Sequence, residues 1–231
     1  MTKQLVRGLR GLKGQIMVII ALGSLCGLIE VVLSGTLRAV NFPWRAAVLV
    51  GLGIGIIAFM FAIYRKPIMA LGVAFVAVMV KQLAVPLLNE AFVCDANSCL
   101  AVGIEYSAVA VVSIFTMKRM NDKVGFRLLT GGAGAFIGSI AFYLIGMHVA
   151  PCNYLLSFNS ASGFISYLYR ESLSWTIFST VLFPIGWYIG IKSESALSRL
   201  FESKPRVIYA GASVLTIICW AISAIAIAQG M

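Results

Sequence analysis

The chain alternates between long apolar stretches and short polar connections. About seven windows hold 18 or more nearly uncharged residues, enough to cross ~30 Å of hydrocarbon at ~1.5 Å of helical rise per residue. They cover 15–34, 46–64, 67–89, 100–117, 128–149, 173–191 and 207–228. Within each window the apolar residues run on continuously instead of occupying every second position, which predicts helices rather than a β-barrel. A backbone in lipid must satisfy its own hydrogen bonds, and a helix does so within one segment. The expected fold is an all-α integral membrane protein of about seven transmembrane helices, forming a single polytopic domain over residues 1–231.

The polar connections carry the orientation. Lys3, Arg7, Arg10 and Lys13 precede the first window, and Arg65 and Lys66 follow the second. Lys118, Arg119, Lys123 and Arg127 follow the fourth, and Lys192, Arg199, Lys204 and Arg206 the sixth. The intervening connections are poorer: Arg38 and Arg45, then no cation over 90–99, then Arg170 alone. Lys and Arg concentrate on the cytoplasmic side, so the N-terminus is expected inside and the C-terminus outside. The first window reads as a retained span. It is long for the apolar region of a cleaved signal and lacks a small-residue cleavage site, and Leu25 precedes Cys26 where a lipoprotein needs a small residue.

Composition agrees with this pattern: 61% of residues are hydrophobic and 11% charged, with a mean hydropathy of +0.98. One soluble core could not hide that much apolar surface. The net charge of +10 follows from the inside bias and from attraction to anionic membrane lipids, and no nucleic-acid partner is needed to explain it. A multi-pass protein of a cell membrane, such as a bacterial inner membrane, is expected.

Small residues and prolines predict how the spans meet. Gly23-x-x-x-Gly27, Gly51-x-x-x-Gly55 and Gly134-x-x-x-Gly138 offer close helix approach, ordinarily within a bundle. Pro86 and Pro184 interrupt spans three and six, freeing the carbonyls of Gln82 and Thr180. Residues 150–172 mix aromatics with Asn and Ser, and read as an interfacial helix or lid in the outer mouth or as an ordered loop on the headgroups. Residues 192–206 predict a separate short amphipathic helix, capped by Ser193 or Ser195 and stopped by Pro205.

Three ionisable residues fall within spans: Glu30, Lys81 and Glu105. Each costs about 2.5–3.5 kcal/mol at mid-membrane and so calls for a partner, water or a function. Counting from the outer span ends gives depths of ~6 Å for Glu30, ~12 Å for Lys81 and ~8 Å for Glu105, all in the outer half. Lys81 and Glu105, on adjacent spans, form the expected pair, with Glu30 the second choice. Arg38, Asn41, Trp44 and Arg45 stand around the same mouth, with Asn89, Asn97, Tyr106 and His148. Charged groups, amides and aromatics together suit a polar small-molecule pocket. Glu30, Arg38, Asn41, Lys81, Asn97 and Glu105 are the expected ligand-binding residues. The plainer reading is that a buried Lys–Glu pair only clamps two helices together.

Cys94 and Cys99 lie in the third connection on the outer face, where an oxidising environment would permit a disulfide between them. Cys26 and Cys219 read as inert packing residues within spans. A membrane thiol–disulfide oxidoreductase is an alternative function, although no C-x-x-C motif is present. A non-catalytic subunit or assembly factor of a membrane complex is another. No Ser/His/Asp set and no metal-ligand spacing emerges around the single histidine, so neither an enzyme nor a cofactor is expected.

The stretch from Tyr64 to Val112 resembles the substrate-binding S components of energy-coupling-factor vitamin transporters. The features that carry the resemblance are the "RKP" start at 65–67, a small-residue helix ending near Lys81 and Pro86, a short outer loop, and "LAVGIEYSAVAVV" with Glu105. The resemblance implies capture of a vitamin-like small molecule in an outward pocket, with ATPase and membrane coupling subunits as partners. Those proteins usually have six spans where seven are counted here. Their first span often carries Ala-x-x-x-Ala where this chain has Gly23-x-x-x-Gly27.

Overall fold

The computed structural model describes residues 11–83, 86–87 and 96–230. Among these the chain is helical, without strands. Six helices are long and apolar enough to cross a membrane: α1 (Leu12–Ala39), α2 (Arg45–Tyr64), α4 (Ala96–Met120), α5 (Val124–Val149), α7 (Ala161–Ser203) and α8 (Pro205–Ala228). This is the architecture of a multi-pass helical membrane protein. Two shorter helices complete the set, α3 (Met69–Lys81) and α6 (Asn153–Leu156).

The third span differs from its prediction. Its described helix is 13 residues, about 20 Å at ~1.5 Å per residue, and ends at Lys81 instead of running to 89. Pro86 accounts for the stop, because it has no N–H to donate to the Gln82 carbonyl and disfavours helical geometry just before it. Lys81 is thus the last residue of α3, where a cation faces the partial negative charge of the helix C-terminus. It does not sit in mid-helix.

The sixth span differs in the opposite sense. Residues 192–203 continue α7 without a break, so neither Ser193 nor Ser195 caps a separate helix. Between Ile191 and Lys204 there is no Gly or Pro to stop the helix, and it continues past its apolar section. Pro184 lies inside it. Pro205 starts α8 at its first turn, where a missing N–H costs nothing.

All three glycine pairs become close approaches within the bundle. A Cβ on Gly23 would lie 2.6 Å from Val76 Cβ, and one on Gly27 2.5 Å from Val80 Cβ; this packs α1 onto α3. Gly134 faces Val109, 2.7 Å from its Cγ2, and Gly138 faces the Glu105 Cα at 3.1 Å, which packs α5 onto α4. Gly51 and Gly55 meet Leu182 on α7, and Gly186 returns the contact against the Gly55 carbonyl. The neighbours therefore run α8, α1, α3, α4, α5, α7 and α2. The Trp220 indole ties α8 to α1 by donating to Ser24 Oγ at 2.9 Å.

Helix α2 is the most enclosed of the six. It packs along its length on α7 but meets α1 and α4 only over short stretches. One such contact is Tyr106, whose hydroxyl lies against Gly53 and hydrogen-bonds Cys26 of α1. Beyond Tyr106, toward the start of α2, the helices part.

Candidate functional site

The gap is a cavity of about 640 Å³. All six expected ligand-binding residues, Glu30, Arg38, Asn41, Lys81, Asn97 and Glu105, line it, as does Arg45. Three other residues assigned to the mouth do not. Tyr106 is buried beneath the cavity, and Trp44 and His148 are exposed outside its lining. Asn89 and Cys94 lie outside the described residues; Cys99 is buried, and Cys152 lines the cavity.

The floor is set by the glycine contacts. Gly27 lets α1 touch α3 at Val80, and Glu30, three residues past Gly27, then faces Lys81, one past Val80. Lys81 Nζ donates to Glu30 Oε2 at 3.0 Å. Both side chains are nearly enclosed, 8% and 12% exposed. The expected pairing is thereby corrected: among the described residues Lys81 makes its ion pair with Glu30, not Glu105. The close α1–α3 seam puts Glu30 nearer than the looser contact between α3 and α4 allows. The ammonium also donates to the Ser98 hydroxyl.

Glu105 stands beside this pair and is 3% exposed. Gly138 allows α5 to close on its backbone, which fixes the residue's position. Among the described residues, no donor lies within hydrogen-bonding distance of its carboxylate, and the residue lines the cavity.

The rim comes from three segments. Arg38 lies at the end of α1, Asn41 in the turn that follows and Arg45 at the start of α2. Asn97, at the start of α4, donates to the Ala150 carbonyl at 2.7 Å and so joins α4 to the end of α5. Residues 150–172 cover the third side as α6 and the beginning of α7, so this segment is largely helical and forms part of the cavity wall. Leu155, Phe158 and Tyr167 anchor it as buried residues, and the Tyr143 hydroxyl donates to the Phe158 carbonyl at 2.9 Å. Tyr154, Arg170 and Glu171 reach the cavity from it, with the Tyr154 hydroxyl donating to Glu171. Burial first, and then the Glu171 carboxylate, push the Tyr154 phenol above its ordinary range.

Sequence reasoning missed Tyr154 and Glu171 as site residues, and used Arg170 only for topology. A lone Arg–Glu step in an otherwise uncharged outer segment was the available signal. It also missed two π-helical turns, Ile29–Leu33 in α1 and Leu168–Ser172 in α7. Glu30 lies in the first, and Arg170 and Glu171 in the second. Such turns are concentrated at functional sites, and both here carry charges into the same cavity.

Chemically, the arrangement offers charges of both signs, amides and aromatic surface around a space large enough for a small molecule. Compared with family models, curated proteins and solved structures, the chain matches none.

Proposed function

We propose that this protein binds a small polar solute in the cavity for uptake across a membrane. In this reading the chain crosses seven times, α3 completing the third crossing, with the N-terminus cytoplasmic and the C-terminus outside. The cavity then opens outward, and the cation-rich end carrying Arg65, Lys118 and Arg127 faces the cytoplasm. The membrane is that of a cell, such as a bacterial inner membrane. Energy comes from partner ATPase and coupling subunits, as for the S components that residues 64–112 resemble.

One observation carries the reading. About 640 Å³ of open space is kept among seven charged side chains, three of which, Glu30, Lys81 and Glu105, stand within apolar segments where a charge is costly. Helices that needed only clamping would close over the Lys81–Glu30 pair. A non-catalytic subunit would fill the mouth with its own side chains, whereas the described residues leave it open.

The test is mass spectrometry of small molecules that co-purify with the detergent-extracted protein, compared with a Lys81→Ala/Glu105→Ala double variant. A compound held by the wild type and lost from a monodisperse, folded double variant supports the proposal. The same compounds on both, or none on either, overturns it.

A further inference from the structure

The charges of the cavity are sorted by depth. Among the described residues, two carboxylates at the floor, Glu30 and Glu105, stand against one ammonium, Lys81, and all three are mostly enclosed. Lys81 and Glu30 answer each other at 3.0 Å. That leaves Glu105 as an enclosed carboxylate facing open space, with no donor from the described residues. A buried acceptor in this position is costly unless a cation or donor meets it. At the rim the balance among the described residues reverses, with three guanidiniums, Arg38, Arg45 and Arg170, against one carboxylate, Glu171. Glu171 is already engaged by the Tyr154 hydroxyl.

Resting on the solute-binding reading above, we infer that the cavity selects a zwitterion, with its cationic group on Glu105 at the floor and its anionic group among Arg38, Arg45 and Arg170 at the rim. Each end also works against the wrong ligand. A simple anion that reached the floor would meet Glu105, and a simple cation would have to pass three guanidiniums; such juxtapositions give specificity by rejection as well as attraction. Guanidinium forks suit a carboxylate or phosphate, and a lone carboxylate suits an ammonium. The aromatic and aliphatic wall between floor and rim, including Trp175 and Val102, would cover the apolar middle of such a molecule.

The test is thermal stabilisation of the full-length protein in detergent by four panels of compounds. These are zwitterions (amino acids, betaines and ω-amino carboxylates), the matched carboxylic acids, the matched amines, and neutral amides and sugars. At least one zwitterion is expected to bind about tenfold or more tightly than its matched acid and amine. Glu105→Gln keeps the size and removes the charge. It relieves an unpaired buried carboxylate, so the variant folds, and it should weaken the zwitterion about tenfold while leaving the matched acid bound at least as well. Arg38→Gln/Arg170→Gln should do the reverse, sparing the matched amine.

If acids, amines or neutral compounds stabilise the protein as well as zwitterions do, the zwitterion assignment fails and the solute-binding reading stands. If Glu105→Gln binds the zwitterion unchanged, the orientation and the assignment both fail. If no compound of any panel stabilises the protein, both the assignment and the solute-binding reading fall.

Discussion

The two ends of the bundle use arginine in opposite ways. At the end away from the cavity, Trp187 meets two guanidiniums, that of Arg65 at 4.5 Å from the ring centre and that of Arg127 at 5.8 Å. Arg127 also donates to the carbonyls of Met120 at 2.6 Å and Asn121 at 2.8 Å. Here the cations lie on aromatic faces and helix ends, and Gly186 and Gly190 press α7 against the α2 backbone. At the other end Arg38, Arg45 and Arg170 edge an open space. The difference lies in the helix seams. Where glycines bring backbones together a charge is absorbed by packing, and where α2 parts from α1 and α4 it is left to meet something from outside.

The largest effect should come from breaking the floor of the open end. Lys81→Met deprives Glu30 of its ion-pair partner in a nearly enclosed setting. Removing one member of a buried pair costs ~3–5 kcal/mol, and access to the cavity places the expected loss near the lower figure. Adding Glu30→Gln should restore most of it, because the carboxylate that Lys81 had compensated is then neutral. The measurement is thermal or denaturant unfolding in detergent of both singles and the double. Additive losses would mean that the two residues are not coupled in the fold.

Much of this floor was legible in the sequence. A charge inside an apolar window stands out without any knowledge of neighbours, and this is why Glu30, Lys81 and Glu105 were readable; all three line one cavity. Glycines four residues apart are an equally local signal, and each pair became a seam. Which carboxylate Lys81 would meet was not legible, because it depends on the order of helices around the bundle, and neighbours in sequence need not be nearest in space. The π turns leave no period in the residue pattern. Residues 192–203 misled for another reason: leaving the apolar section ends a span but does not end a helix, and only a breaker such as the Lys204–Pro205 step does that.

The closed end can be broken next. A Cβ at Gly186 would run into the carbonyl of Gly55, a backbone atom that cannot rotate away. Gly186→Ala should therefore force α7 off α2 and destabilise by about 1–3 kcal/mol, the usual cost of overpacking. Gly103→Ala on α4 is the control, since among the described residues nothing outside its own local helix backbone lies within 4 Å of the added methyl; it should cost nothing and gain up to about 1 kcal/mol of helix propensity. A Gly186→Ala protein as stable as wild type would show that this end is not closed by backbone contact, and the contrast between the ends would weaken.

The smallest effect sharpens the contrast at the rim. Tyr154→Phe removes the hydroxyl that holds Glu171, and because Tyr154 is 48% exposed the loss should be only about 0.5 kcal/mol at neutral pH, the low end for a hydrogen bond. Its pH dependence is more telling. The phenol is raised in the folded protein, by burial and by the adjacent carboxylate, so this stability is fully present below the unfolded value, about pH 10. Above that, the unfolded chain releases its proton first, and the contribution falls as pH rises toward the folded value. Melting temperatures of wild type and Tyr154→Phe should therefore converge above about pH 10, with the wild type falling faster. A gap that stays constant across that range would mean that the hydroxyl does not hold Glu171 in the folded rim. This side of the rim would then be anchored by Leu155, Phe158 and Tyr167 alone, leaving the Glu171 carboxylate available to offset the rim arginines.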